Sequence, residues 1–217
     1  MTKTTLKLPR RNRWKTDNRV EQLGGERVVV KDSSIMAPWY RYLVGIRLLR
    51  REYRALKALN GFAHAPGVRG WLSPNALAIE WVQGRSLREL RSSTDLSFVC
   101  QELCRCVQEM HARGVAHCDL HASNILILPD GRLKIVDFAT AVRRSEVPAW
   151  VWEYATYLDW VAVGKFHRLL CPQDFHRRDA PWQRRAPFGY HTMRNFLHKV
   201  LRRKGEGNTC KKTGDIT

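Results

Sequence analysis

The sequence predicts an α+β fold, a reduced set of antiparallel strands followed by a mainly helical half. Three observations predict it. The first 83 residues hold short β-prone runs joined by turn residues, with one helix-period segment among them. Two long stretches of helical spacing follow, residues 95–113 and 149–170. Between those helices lies a second hairpin signal, in which apolar runs 124–128 and 133–136 flank Pro129-Asp130-Gly131.

Taken in order, residues 1–18 are a basic, polar arm carrying one Trp. The sheet lobe spans 19–83. Its first strands are 19–23 and 26–31, joined by Gly24-Gly25, a tight-turn signal between β-prone runs. Residues 33–44 are aromatic and irregular. In 45–60, Ile46, Leu49, Tyr53, Leu56 and Leu59 recur at helical spacing, with Gly61 as the C-terminal stop. Residues 62–74 read as a Gly/Pro-punctuated connection and 76–82 as a strand. The helical lobe spans 84–204, with Ser86 or a near neighbour capping a short helix at its start. Helix 95–113 stops at Gly114, and a last helix is expected at 191–203. Residues 205–217 form a polar tail.

Composition narrows the class. A chain of 217 residues with 44% hydrophobic residues is globular and long enough for a core. No apolar run reaches the ~18 residues of a membrane span, and residues 1–13 lack the apolar centre of a signal peptide. A cytoplasmic location is the expectation. Cys100, Cys104 and Cys106 share one helix at spacings unlike a zinc knuckle, so reduced thiols are expected. The net charge of +18 is uneven: residues 1–19 carry seven Lys/Arg against one Asp, and residues 161–217 carry thirteen against four acids. Basic ends about a nearly balanced middle point to a large anionic partner, such as acidic lipid, lipopolysaccharide or RNA.

The chemistry concentrates in residues 117–138. The hairpin sets Asn124 at the start of one strand and Asp137 at the end of its partner, with Asp119 on the loop before them. Two oxygen ligands and a carboxylate at one corner suit a Mg²⁺-nucleotide and a hydroxyl to be activated. The stretch resembles the catalytic and metal loops of the protein-kinase-like superfamily, H-x-D-L-x-x-x-N followed by D-F-G. That resemblance implies a bilobal protein-kinase-like fold, ATP and Mg²⁺ as cofactors, Asp119 as catalytic base, and Asn124 and Asp137 as magnesium ligands. Residues 27–31 resemble the V-A-I-K strand, which makes Lys31 the phosphate lysine, and Glu52 resembles the helix glutamate that holds it. Residues 79–84 resemble the interlobe hinge. The backbones of Glu80 and Val82 would meet the adenine edge, Ile79 would be the gatekeeper, and Val29, Leu126 and Val136 would sandwich the ring. His117 resembles the structural His of H-R-D, and Asp159 the buried Asp that ties down the catalytic-loop backbone.

The departures are equally specific. There is no G-x-G-x-x-G loop and no A-P-E, Cys118 replaces the usual Arg, and Ala139 replaces the third residue of D-F-G. Only 22 positions separate Asp137 from Asp159. These features are similar to small atypical kinases, namely the bacterial lipopolysaccharide-core sugar kinases of the Kdo and heptose type and the RIO-type kinases. The leading expectation is transfer of the ATP γ-phosphate to a lipopolysaccharide-core sugar. The alternatives are a RIO-like serine/threonine protein kinase and a non-catalytic pseudokinase-like binding module. The partners implied are ATP and an anionic glycolipid or protein acceptor, with peripheral association at an acidic membrane surface on its inner face. Nucleic acid ranks behind these.

Overall fold

The computed structural model describes residues 6–7, 16–90, 97–172 and 180–189. The chain divides into two compact units, Met1–Gln183 and Arg184–Thr217. Both lobes lie in the first. Of the second, residues 184–189 are irregular backbone ending in a turn. The helix expected at 191–203 and the tail 205–217 lie outside the described residues.

The first lobe is an antiparallel sheet of β1 (Leu6–Lys7), β2 (Asp17–Leu23), β3 (Glu26–Asp32), β4 (Val68–Ser73) and β5 (Ala76–Glu80), in the order β1-β2-β3-β5-β4. Leu23 pairs with Glu26 across a two-residue turn in which Gly24 and Gly25 have φ of 59° and 88°. Two successive left-handed residues are what a hairpin turn of matching twist needs, and glycine adopts them without a Cβ clash. The sheet begins earlier than residue 19. Asp17 and Asn18 extend β2, and Leu6–Lys7 of the basic arm pairs with it. The connection expected at 62–74 holds β4, whose ladder with β5 shifts register at Val68/Gly70 and Trp71/Ser73. Irregular pairing lets a strand carry Gly70 at φ 128°.

Between β3 and β4 runs one helical segment: α1 (Pro38–Tyr40), a π-helical turn at Arg41–Gly45, and α2 (Ile46–Ala58). The helix therefore starts earlier than its apolar spacing predicts, inside the stretch read as irregular. Ile46, Leu49, Glu52, Ala55 and Leu56 form the buried face of α2, so a carboxylate sits in an otherwise apolar stripe. That anomaly marks the site.

The second lobe opens with β6 (Arg85–Ser86) and α3 (Leu87–Leu90). The Ser86 hydroxyl donates to Glu89 Oε1 at 2.7 Å and accepts the Glu89 N–H at 3.4 Å, the cap expected there. Ser86→Ala is expected to cost about 0.5–2 kcal/mol, read as a lowered urea midpoint at unchanged slope. Just before it, a Cβ on Gly84 would lie 2.9 Å from the Ile127 carbonyl, so the hinge crosses the hairpin only as glycine. Then come α4 (Ser97–Ala112), β7 (Val115–Ala116), β8 (Ile125–Ile127), β9 (Leu133–Ile135), β10 (Val142–Arg143) and α5 (Ala149–Leu170). β6, β8 and β9 form one small sheet, and β7 with β10 another. Leu49 and Leu56 of α2, Leu103 and Met110 of α4, and Ile125, Ile135 and Phe138 belong to one buried cluster that joins the lobes. Each such side chain contributes about 1.5–3 kcal/mol by leaving water.

Candidate active site

Lys31 is the penultimate residue of β3, paired with Asn18 on one side and Leu77 on the other. Its Nζ donates to Glu52 Oε1 at 2.7 Å and to Asp137 Oδ1 at 2.8 Å. Glu52 Oε1 also accepts the Phe138 N–H at 3.2 Å, so one oxygen ties the lysine strand to the loop after Asp137. Its other oxygen is buried with no hydrogen-bond partner among the described residues. Arg51 and Arg54, one and two residues away in the chain, are exposed, and Arg54 lies 3.5 Å from Glu146 instead.

The electrostatics follow from two carboxylates facing one ammonium. Burial opposes the charge on Lys31, but Glu52 and then Asp137 outweigh it and hold the ammonium above its ordinary value. Burial pushes the Glu52 carboxyl up, only partly offset by Lys31. At Asp137 burial works in the same direction, but the Lys31 charge prevails and keeps that carboxyl below the usual range. Asp137 is the carboxylate at the cleft, half-exposed and ionised, as a metal ligand must be.

The loop that carries Asp119 hangs from Asp159 of α5, which is fully buried. Its Oδ2 accepts the His117 N–H at 2.8 Å, and its Oδ1 the Cys118 N–H at 2.7 Å. His111 Nε2 completes the cluster at 2.9 Å from Oδ2. Cys118 has φ 67°, a left-handed conformation rare outside glycine, and the Asp159 carboxylate holds it there. Burial pushes the Cys118 thiol up, so it is an inert packing group where an Arg was usual in the resemblance. Burial, opposed by Asp159, holds His117 below its ordinary value. The neutral ring has one donor and one acceptor: Nδ1 lies 3.2 Å from the donating Asp119 N–H, leaving Nε2–H to donate to the Val136 carbonyl at 3.1 Å. His117 is scaffold.

The β8–β9 hairpin aligns the remaining oxygens. Ile125 pairs with Ile135, and the Val136 N–H donates to the Asn124 carbonyl at 2.9 Å, which sets Asn124 beside Asp137. The Asn124 amide nitrogen donates to the Asp119 carbonyl at 3.1 Å, so its amide oxygen remains for a ligand. Asp137 takes φ 67°, and the 3₁₀ turn Phe138–Thr140 follows. Ala139 lies in that turn, where φ is negative and glycine is not required. Asp119 itself is half-exposed, with His121 Nε2 3.7 Å from its Oδ2.

A cavity of about 260 Å³ opens between the lobes. Val29, Lys31, Ile79, Glu80, Val82, Leu126 and Val136 all line it, as do Glu52, Asn124 and Asp137. Asp119 is not among its lining residues. Glu80 turns its carboxylate to Lys134 (2.6 Å) and the Gly67 N–H (2.8 Å), so that side chain is engaged within the protein. Asn18, Pro66 and Trp81 also line the cavity; Asn18 and Pro66 lie outside the motifs read from the sequence, and Trp81 lies in the hinge stretch without having been assigned to the cavity. Asn18 was reachable from the strand register, since it is the residue opposite Lys31. The donor set fits a magnesium nucleotide: apolar walls for a flat ring, a lysine for phosphate, and two hard oxygen donors side by side.

A five-stranded antiparallel lobe, a helical lobe, and a Lys–Glu pair facing Asn124 and Asp137 across one cleft define a bilobal protein-kinase-like fold. The comparisons point to the same fold. The family described as "Protein kinase domain" matches residues 69–162, from β4 into α5. A probable serine/threonine-protein kinase HAL5-like of Vanderwaltozyma polyspora is 45% identical over 69 residues, 32% of this chain and 8% of the relative. The serine/threonine-protein kinase HAL5 of Saccharomyces cerevisiae is 40% identical over 77 residues, 36% of this chain and 8% of the relative. The mitogen-activated protein kinase HOG1 of Scheffersomyces stipitis is 33% identical over 132 residues, 56% of this chain and 33% of the relative. The matches thus span less than a tenth of the HAL5-type proteins and a third of HOG1. The family match begins beyond Lys31 and Glu52, so it is the geometry that brings that pair into the site.

Proposed function

We propose that this chain is an ATP- and Mg²⁺-dependent kinase that phosphorylates a serine or threonine hydroxyl of a protein. The observation that carries the reading is Lys31 bridging Glu52 and Asp137 on the wall of a cavity that Asn124 shares. Bound Mg-ATP would supply the phosphoryl group. Lys31, held by Glu52, would orient its phosphates, Asn124 and Asp137 would hold the metal, and Asp119 would take the acceptor proton. Positioning and charge neutralisation would provide most of the rate.

The relatives, all named as protein kinases, favour a protein acceptor over the lipopolysaccharide-core sugar expected from the sequence. A binding-only module would have no need of Lys31, Glu52, Asp119, Asn124 and Asp137 together. Incubation with γ-labelled ATP and, in parallel, a mixed protein pool or core oligosaccharide tests the reading. Label on protein serine or threonine is the expected result. Label on oligosaccharide alone would restore the sugar acceptor, and label on neither would leave the binding module.

Activity is expected to be independent of phosphorylation. The connection from Asp137 to α5 is taken up by the Phe138–Thr140 turn, by β10 paired with β7, and by the Arg144–Glu146 turn. The thiol of Cys118 takes the position of the Arg that a phosphorylated loop would engage. Phosphatase-treated protein should retain the initial rate of untreated protein; a large loss would show that a phosphate orders this segment.

A further inference from the structure

We propose that the outer face of the continuous helical segment 38–58 docks on an anionic lipid bilayer, a property separate from phosphotransfer. The face is built by spacing. Counting from Trp39, the exposed residues Leu43, Arg47, Arg50, Arg54 and Lys57 follow at intervals of four, four, three, four and three. Within α2 the intervals of three, four and three keep Arg47, Arg50, Arg54 and Lys57 on one side; Trp39 and Leu43 lie ahead of them, at the N-terminal end of the segment, before and within the π-helical turn. Tyr42 stands beside Leu43 on the same turn, in the π-helical stretch Arg41–Gly45. Trp39, Tyr42 and Leu43 are 60%, 64% and 54% exposed, three large side chains at one end of the ridge, with the Trp39 ring edge-on to Tyr40.

The other end is cationic. All five cations of α2 are exposed, and its single acid, Glu52, is buried on the opposite face against Lys31. Arg54 has a contact with Glu146, at 3.5 Å between exposed side chains, which salt and solvent weaken. An apolar tip of Trp, Tyr and Leu followed by a band of Arg and Lys is the pattern of a helix lying in a bilayer interface, with rings among the headgroups and cations on anionic phosphates. Thirteen residues of α2 extend about 20 Å, a span suited to a flat surface.

Two details favour a bilayer over RNA. Leu43 has no ring on which a base could stack. The Tyr42 ring is already faced by the Arg41 guanidinium, 5.1 Å from its centroid. Charge alone would serve either polyanion; the aliphatic and aromatic tip adds area only where it can leave water.

The test uses the full chain and vesicles of phosphatidylcholine alone or mixed with phosphatidylglycerol. Co-sedimentation is expected with the anionic vesicles, falling steeply with salt. Arg47→Glu/Arg50→Glu/Arg54→Glu should weaken it by about tenfold or more. With brominated lipid, part of the tryptophan fluorescence should be quenched, and Trp39→Phe should remove that part while circular dichroism stays unchanged. If the triple reversal does not fold, Arg47→Gln/Arg50→Gln should show a smaller loss in the same direction. Vesicle binding that survives these changes would assign the charge effect to the chain ends and overturn the proposal. So would quenching unaffected by Trp39→Phe, or binding of an RNA homopolymer without binding of vesicles. Nucleotide binding is unaffected in either case, so failure here is distinct from failure of the kinase reading.

Discussion

Asp137→Ala is expected to abolish turnover, with a loss on the order of 10³-fold or more if the metal contributes several kcal/mol to the transition state. The substitution removes the ionised oxygen at the cleft and one of the two acceptors of Lys31. It leaves the Lys31–Glu52 bond intact, so the lobes stay joined through the Phe138 N–H and the shared core. Alanine is strained at φ 67°, by roughly 1–2 kcal/mol, so a thermal melt must accompany the rate. Asp137→Asn separates the two effects, because Asn tolerates that conformation and supplies only a neutral oxygen. The measurement is Mg²⁺-dependent nucleotide binding together with turnover for both variants. Wild-type turnover in Asp137→Ala would remove the metal role from this residue. Lys31→Ala should weaken nucleotide binding and turnover less completely, since it takes away phosphate contacts and leaves both oxygen donors in place.

What the sequence made legible depended on the kind of signal. α5 has the bounds its apolar run predicts, and the β8–β9 hairpin lies where turn chemistry put it. Both are local patterns. β4 was missed because Pro66, Gly67, Gly70 and Pro74 read as punctuation, while its shifted ladder with β5 absorbs Gly70 in a strand. The helical lead-in 38–45 was missed because its aromatic run has no apolar period, and a π turn shifts the phase before α2 begins. At the site, the motif residues were legible one by one. Their joint geometry was not: nothing in the spacing shows Lys31 shared between Glu52 and Asp137, or Glu52 holding the backbone just after Asp137. Asp159 was legible by resemblance, but its two backbone bonds to His117 and Cys118 explain why a cysteine can hold a left-handed conformation there. Asn18 and Trp81 entered the cavity lining through strand register and hinge path, which a one-dimensional motif does not carry.

Asp119→Asn is expected to spare nucleotide binding and lower phosphotransfer by about 10²–10⁴-fold, the range for loss of a positioned general base. The separation rests on how the loop is held. The Asp119 N–H donates to His117 Nδ1 and its carbonyl accepts from the Asn124 amide, so main-chain atoms fix its position. The carboxylate is half-exposed, has His121 at 3.7 Å, and is absent from the lining of the interlobe cavity. An amide of the same shape therefore keeps the loop, keeps Asn124 oriented toward Asp137, and loses only the ability to accept a proton. The nucleotide Kd and the melting temperature should stay near wild type while kcat falls. If binding and rate fell together, Asp119 would be a structural member of the loop. If neither changed, the acceptor's proton would leave by another route and the base assignment would be lost.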